Sequence, residues 1–376
     1  MASLQKGASL CKAVGSCQFA SVASQCCAME FGLFTEFQCP PGRSAAAAFD
    51  ESMTQMKAAE DLGFDAVWLA EIHFQKDRSV LSSPLTIAAA LATVTRKVKI
   101  GIAVQVLPLS HPLRLAEDVA TVDHLSKGRL EFGVGRSGLP GHYQGFNIPY
   151  SESRDRFLET LEILRKAWTE DRFSHAGKFW QFNDVCVMPK PYQKPHPPLR
   201  VAATTEETYP MVGRMGLPIF VAPRTISISD LKRFMGGYHD GWSTAGHAGR
   251  GDVGLNMPLY VAETARAARE EPEASTMQFF RAISEALRKR DGAGFQTTEA
   301  REVKADRLSD ITYDEVLSEQ AIFGTPEAVV DRLLALREEV GFSSLSMWMN
   351  PGGQIPHERV LTSMRLFVER VAPRLS

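Results

Sequence analysis

Asp65-Ala-Val-Trp-Leu-Ala-Glu-Ile-His-Phe74 is an apolar run that ends abruptly in Glu71, His73 and Phe74. A short continuous apolar run reads as a strand buried on both faces. In a barrel of parallel strands the carboxyl ends supply the reactive groups, so the polar end of this run is where chemistry is expected. Outward from it, β-branched or aromatic runs recur at Met29–Thr35, Ala66–Ala70, Val98–Val104, Leu130–Val134, Leu199–Ala203, Pro218–Val221, Val253–Tyr260 and Leu345–Asn350. Helical patterns fall between and after them at Ser52–Leu62, Pro84–Thr95, Leu113–Leu125, Arg154–Trp168, Tyr209–Met215, Ser229–Tyr238, Ala262–Arg288 and Pro356–Val371. In the first, Met53, Met56, Ala59 and Leu62 recur at helical spacing and Gly63 follows as a terminator. Such alternation is the α/β signature. Eight strands suit a closed (β/α)8 TIM barrel; a doubly wound open sheet is the alternative.

Of the 376 residues, 44% are hydrophobic and 23% charged, and the formal net charge is −2. That composition fits a globular chain with a sizeable core and argues against a nucleic-acid binder, which would carry a clustered basic surface. Residues 29–376 are expected to form one barrel domain. Residues 1–28 contain no Asp or Glu, are rich in Ala, Ser and Cys, and are expected to be a disordered leader outside the fold. Four of the six cysteines, Cys11, Cys17, Cys26 and Cys27, lie in that segment, so the fold does not rest on disulfides and a cytoplasmic location is expected. No stretch approaches the roughly 18 apolar residues of a membrane helix.

Two insertions interrupt the alternation. The first, about 173–198, holds the aromatic Gly177-Lys-Phe-Trp-Gln-Phe182 and a Pro-rich tail, and is expected to be a hairpin followed by an extended segment. The second, within 261–324, is charged, contains Gly292-Ala-Gly294 and is expected to form a lid over the active end.

Gly133-Val-Gly-Arg-Ser-Gly138 matches the dinucleotide fingerprint in letters only, because Leu139-Pro-Gly141 follows where a helix should open. Its Arg136 suits either a phosphate grip or an ordinary loop position. Thr204, Thr205 and Thr208 offer donors to an anion or simple helix capping. The nine histidines show no metal-ligand spacing, and there is no nucleophile elbow or C-x-x-C pair. Chemistry borrowed from an organic cofactor is the remaining expectation.

Read together and in order, Phe64-Asp-Ala-Val-Trp-Leu69 with Glu71 and His73-Phe74, Val106-Leu-Pro108, His111-Pro112, Ala116-Glu-Asp-Val119, Ser126-Lys-Gly-Arg129, Gly216-Leu-Pro218 and Phe323-Gly-Thr-Pro-Glu327 resemble the bacterial luciferase-like, flavin-dependent monooxygenases, near in pattern to the luciferase alpha subunit. The resemblance runs from Met29 to the end. It implies a (β/α)8 barrel that binds reduced FMN, supplied by a separate flavin reductase, at its strand ends. Molecular oxygen is then the co-substrate, a C4a-hydroperoxide the oxygenating species, and an apolar organic compound, such as an aldehyde, the substrate. A homodimer is implied as well. By position, Arg136, Thr204, Thr205 and Thr208 would hold the flavin phosphate, and the peptide between Ala103 and Val104 would be a non-proline cis bond beneath the flavin ring. Two departures are plain. Ile72 stands where luciferase has the first of two adjacent histidines, and Gly135 stands where it has a reactive cysteine, which argues against efficient light emission. His73 and Glu71 are left as the catalytic candidates, with His73 either a general base or a cap of the strand end. The aromatic residues Phe31, Phe34, Trp68, Phe74 and Trp348 read as substrate surface or as plain core. An F420-dependent hydride-transfer oxidoreductase and a non-catalytic flavin-binding protein are the alternatives.

Overall fold

The computed structural model describes residues 29–288 and 299–375. The expected leader at 1–28 and the Gly292-Ala-Gly294 stretch lie outside the described residues. In chain order the strands are β1 (Glu30–Thr35), β2 (Ala66–Leu69), β3 (Lys99–Val106), β4 (Leu130–Gly135), β5 (Phe173–Ala176), β6 (Gln181–Val185), β7 (Leu199–Ala203), β8 (Ile219–Val221), β9 (Val253–Val261), β10 (Ile322–Gly324) and β11 (Ser344–Trp348). Eight of them, in the order β1-β2-β3-β4-β7-β8-β9-β11, pair in parallel, and β11 returns to β1 to close the barrel. These are the eight runs expected from sequence, with boundaries shifted by at most two residues. The open-sheet alternative falls with the closure. β5 and β6 form the expected antiparallel hairpin in the first insertion, and β10 extends only the carboxyl end of β9.

The helices show where local chemistry outruns periodicity. The first spans Ala45–Leu62, seven residues earlier than the pattern indicates. Ser44 caps it by accepting from the Ala47 amide, and Gly63, at φ +93°, closes it by donating to the Ala59 and Glu60 carbonyls. Ala45–Ala48 carry no apolar rhythm, yet alanine is the strongest helix former. A helix at Pro326–Val340 was not expected at all. Thr325 caps it, Pro326 fills its first turn and Gly341 ends it in the left-handed region.

Inside the barrel, register places Trp68 of β2 between Phe34 of β1 and Gly101 of β3. Its ring meets Phe220 of β8 edge to face at 4.8 Å. Only glycine leaves room for the pair: a Cβ on Gly101 would sit 2.0 Å from the Trp68 ring, one on Gly32 2.6 Å from it, and one on Gly254 2.8 Å from the Phe220 ring. Toward the amino ends of the strands, Lys99 pairs with Glu30 and Glu131, and Arg200 pairs with Glu131 at 3.2 Å and Asp252 at 2.6 Å. Burial works against the Arg200 charge, but these two carboxylates outweigh it and raise its pKa.

Toward the carboxyl ends the interior cluster of Phe34, Trp68, Phe220 and Trp348 continues into Phe279, Phe280 and Ile283 of the helix Ala265–Arg288. Phe279 stands 4.4 Å from Trp348. The helix Ala265–Arg288 of the second insertion therefore packs on the barrel's carboxyl end.

Gly101→Ala is expected to destabilise the fold by roughly 1–3 kcal/mol through overpacking, and most of that loss should vanish in a Trp68→Leu background. Urea unfolding of both single variants and the double variant checks this; additive losses would show that Gly101 does not make room for Trp68.

Candidate active site

β2 ends at Leu69, and the chain leaves the sheet through Glu71 and His73, both buried. One Glu71 oxygen lies 2.7 Å from His73 Nε2; the other accepts the Val106 amide at 2.6 Å. The carboxylate thus ties the exit of β2 to the end of β3. Burial pushes the Glu71 pKa up, against bonds from His73, Val106 and Gln105 that favour its charged form.

His73 is held from three sides. Its amide donates to His142 Nε2 at 3.4 Å, and His142 Nδ1 faces the Ser137 hydroxyl at 3.1 Å. Nε2 accepts, so Nδ1 carries the proton in this network. Burial, with the nearby His73 and Arg78, lowers the His142 pKa to about 3, which leaves it neutral. The Phe146 ring meets the His73 ring edge to face at 4.9 Å. Phe74, at φ +56°, turns outward beside Phe146, and its ring packs against Gly145, where a Cβ would lie 2.0 Å from it and push it aside. The short helix Pro140–Gly145 also supplies Tyr143, whose hydroxyl donates to the Arg136 carbonyl. One loop therefore fixes both His73 and Arg136.

Ala103 and Val104 are half-buried at the end of β3, and the peptide between them is cis, as the resemblance implied. They border the interior cluster together with Ala202 and Ile72. A Cβ on Gly135 would come 2.5 Å from Val104 Cγ2, so the missing cysteine and the Val104 side chain share one space. Ile72 adds apolar surface where a second imidazole was absent.

Pairing of β4 with β7 brings the next two expected groups side by side. Arg136 is half-buried. Thr204 is exposed, Thr205 half-buried and Thr208 buried, and the Thr205 and Thr208 hydroxyls are 3.0 Å apart. The Glu207 carboxyl is held low by its own backbone amide first, then by the Thr205 hydroxyl, and further by Arg154 and Arg136. Two guanidinium charges therefore act on this corner. Arg154 was not singled out from sequence: it is an exposed residue in the first turn of the helix Ser153–Thr169, and nothing in its spacing marks it. Glu71 and His73 form one group and the arginine–threonine corner another, linked through the 136–146 loop.

A half-buried apolar shelf beside a corner of guanidinium and hydroxyl groups suits a flat ring system bearing a phosphate, which is the shape and charge of FMN. Residues 29–344 match the family described as luciferase-like monooxygenase. The chain belongs to that family. It is therefore a flavin-dependent monooxygenase of the luciferase-like type. It is 26% identical, over 93% of its length and 96% of the relative's, to the oxygenase component of flavin-dependent trigonelline monooxygenase from Acinetobacter baylyi. It is 32% identical to the alkanal monooxygenase alpha chain of the Kryptophanaron alfredi symbiont, over 52% of this chain and 54% of that one. Among solved structures, monooxygenase RslO1 from Streptomyces bottropensis superposes with a TM-score of 0.80 at 29% identity, covering 93% of this chain and all of that one. Among the described residues no group of three or more His, Cys, Asp or Glu is placed to hold a metal ion, and no helix is long and apolar enough to cross a membrane.

The His142 pKa lies below its unreacted value of 6.5, so the folded protein binds fewer protons than the unfolded chain between pH 6.5 and about 3. Stability from this residue is complete above pH 6.5 and falls as the pH drops, by up to about 1.4 kcal/mol per pH unit. His142→Gln is expected to flatten the pH dependence of the urea midpoint between pH 6.5 and 4.5; equal slopes in both proteins would remove His142 as its source.

Proposed function

We propose that this monooxygenase is the oxygenase component of a two-component system. It takes reduced FMN from a separate reductase and uses molecular oxygen to oxygenate an apolar organic substrate, an aldehyde among the candidates. The reading rests above all on the buried Glu71–His73 pair, 2.7 Å apart, at the rim of the Ala103–Val104 shelf.

Reduced FMN, when bound, supplies the electrons that activate oxygen. Arg136, Thr204, Thr205 and Thr208 hold its phosphate in this reading, and Arg154 joins them because its charge reaches the same corner. Ala103 and Val104 support the ring. His73 is the group that moves a proton at Nδ1, and Glu71 fixes the imidazole at Nε2 while its other oxygen stays on the Val106 amide. The helices of the second insertion keep water from the shelf, which protects reactive species from hydrolysis. With Ile72 and Gly135 in place of the two luciferase groups, efficient light emission is not part of the proposal. A homodimer acting in the cytoplasm is, on family likeness.

Photoreduced FMN, 18O-labelled oxygen and a panel of aldehydes test the reaction; one labelled oxygen atom per product is expected. His73→Gln and Glu71→Gln should each lower kcat by about 10²- to 10⁴-fold with FMN affinity little changed. Arg136→Ala should weaken FMN roughly tenfold and leave riboflavin unaffected. Oxygen-independent turnover with reduced F420, and no label in any product, would sink the reading.

A further inference from the structure

Arg224 follows the end of β8 by three residues, and nothing in the reading above employs it. Its guanidinium stands 5.1 Å from the Trp348 ring centre and 5.5 Å from that of Phe34, the two aromatic residues nearest the carboxyl ends of β11 and β1. Nη2 donates to Asn256 Oδ1 at 2.5 Å. Asn256 is itself locked, since its amide nitrogen donates to the Ser346 carbonyl at 3.1 Å and lies 2.8 Å from the Ser346 hydroxyl. Among the described residues the buried Arg224 Nε has no hydrogen-bond partner.

Charge balance around this arginine is incomplete. Among the described residues no carboxylate forms an ion pair with it. Glu36, the acid whose charge reaches it, is engaged by Arg78 through two bonds of 2.8 and 2.5 Å. Asp77, next to Arg78, is exposed. Two cations thus share one buried anion. An unpaired charge in such surroundings is costly, and burial lowers the Arg224 pKa to about 10. Stacking against two rings leaves the guanidinium edge as the free part, and that edge matches the two oxygens of a carboxylate.

Strand order supplies the direction. The ends of β3, β4 and β7 carry the shelf and the basic corner, whereas β8, β9, β11 and β1 carry Arg224, Asn256, Trp348 and Phe34 on the other side of the mouth. We infer that this second half is the substrate side and that Arg224 binds a carboxylate on a flat, largely apolar substrate whose body lies against Phe34 and Trp348. Arg224 is then the specificity-determining residue, and the inference rests on the flavin reading proposed above.

Ligand-observed NMR titration of the full chain, loaded with FMN, compares benzoate with its neutral counterpart benzamide. Benzoate is expected to bind about tenfold more tightly. Arg224→Met should reduce that preference to twofold or less, Arg224→Lys should keep part of it, and FMN affinity should stay unchanged in both. Equal binding of the two probes to the unaltered protein, or binding of neither, would overturn the inference without needing any variant to fold. If Arg224→Met lost FMN but kept riboflavin, Arg224 would be a flavin-phosphate group and the inference would fall. A chain that bound no FMN would overturn the flavin reading instead, and the same two probes on the flavin-free chain would still decide Arg224.

Discussion

The packing of Trp68 and Phe220 in the centre of the barrel is the constraint on which the rest of the structure depends. Two large rings from opposite sides of the closed sheet meet at 4.8 Å, and they fit only because Gly32, Gly101 and Gly254 contribute no side chain at those points. Burying rings of this size contributes several kcal/mol in transfer free energy, yet any added methyl on the facing strands would displace them. The layer beneath is ionic, with Arg200 stacked 5.5 Å from Phe220 and bridged to Glu131 and Asp252. Buried ion pairs add little net stability once desolvation is counted. Here they close the amino end, so that any ligand space must open toward the other end.

Above the two rings the strands present small residues on one side and large ones on the other. Ala103, Gly135 and Ala202 leave a shelf, whereas Phe34 and Trp348 stand as a wall that the helix Ala265–Arg288 covers with Phe279. The 136–146 loop joins the two functional groups of the shelf side. Its Tyr143 holds the Arg136 carbonyl, its His142 holds the His73 amide, and Ser137 takes the far nitrogen of His142. A neutral His142 is needed for that geometry, because a charged imidazole would lose its acceptor nitrogen. Movement of this loop would therefore disturb the basic corner and the Glu71–His73 pair together.

The barrel was legible in the sequence because parallel strands buried on both faces leave continuous apolar runs. Helices were less so. The expected start of the first one followed its apolar rhythm and passed over Ser44 and the alanines after it. The helix Pro326–Val340 is hidden because its cap, Thr325-Pro326, sits inside the Phe323-Gly-Thr-Pro-Glu327 motif. Ile228–Thr244 extends past the expected Tyr238 despite Gly237 and Gly241, since a Cβ on Gly241 would lie 2.4 Å from the Pro210 carbonyl; close approach to the helix Thr208–Arg214 sets its length, not propensity. Of the site, Glu71, His73 and Arg136 showed themselves by ending apolar strands. His142, Arg154 and Arg224 did not, because each gains its meaning from groups distant in the chain: the His73 amide for His142, the Glu207 carboxyl for Arg154, and the Phe34 and Trp348 rings for Arg224.

The two departures from luciferase belong to one design of the pocket wall. Gly135 has no side chain because Val104 occupies the space one would need, so a cysteine there would require a smaller neighbour on β3. Ile72 turns its branched side chain to the same apolar cluster. With both polar groups gone, the shelf is lined by carbon, and the Glu71–His73 pair stands beside it at the exit of β2. In that pair Glu71 is anchored at both oxygens and cannot swing. The same bond that anchors Glu71 fixes the His73 ring at Nε2, and Phe74 and Phe146 bound that ring on its other sides.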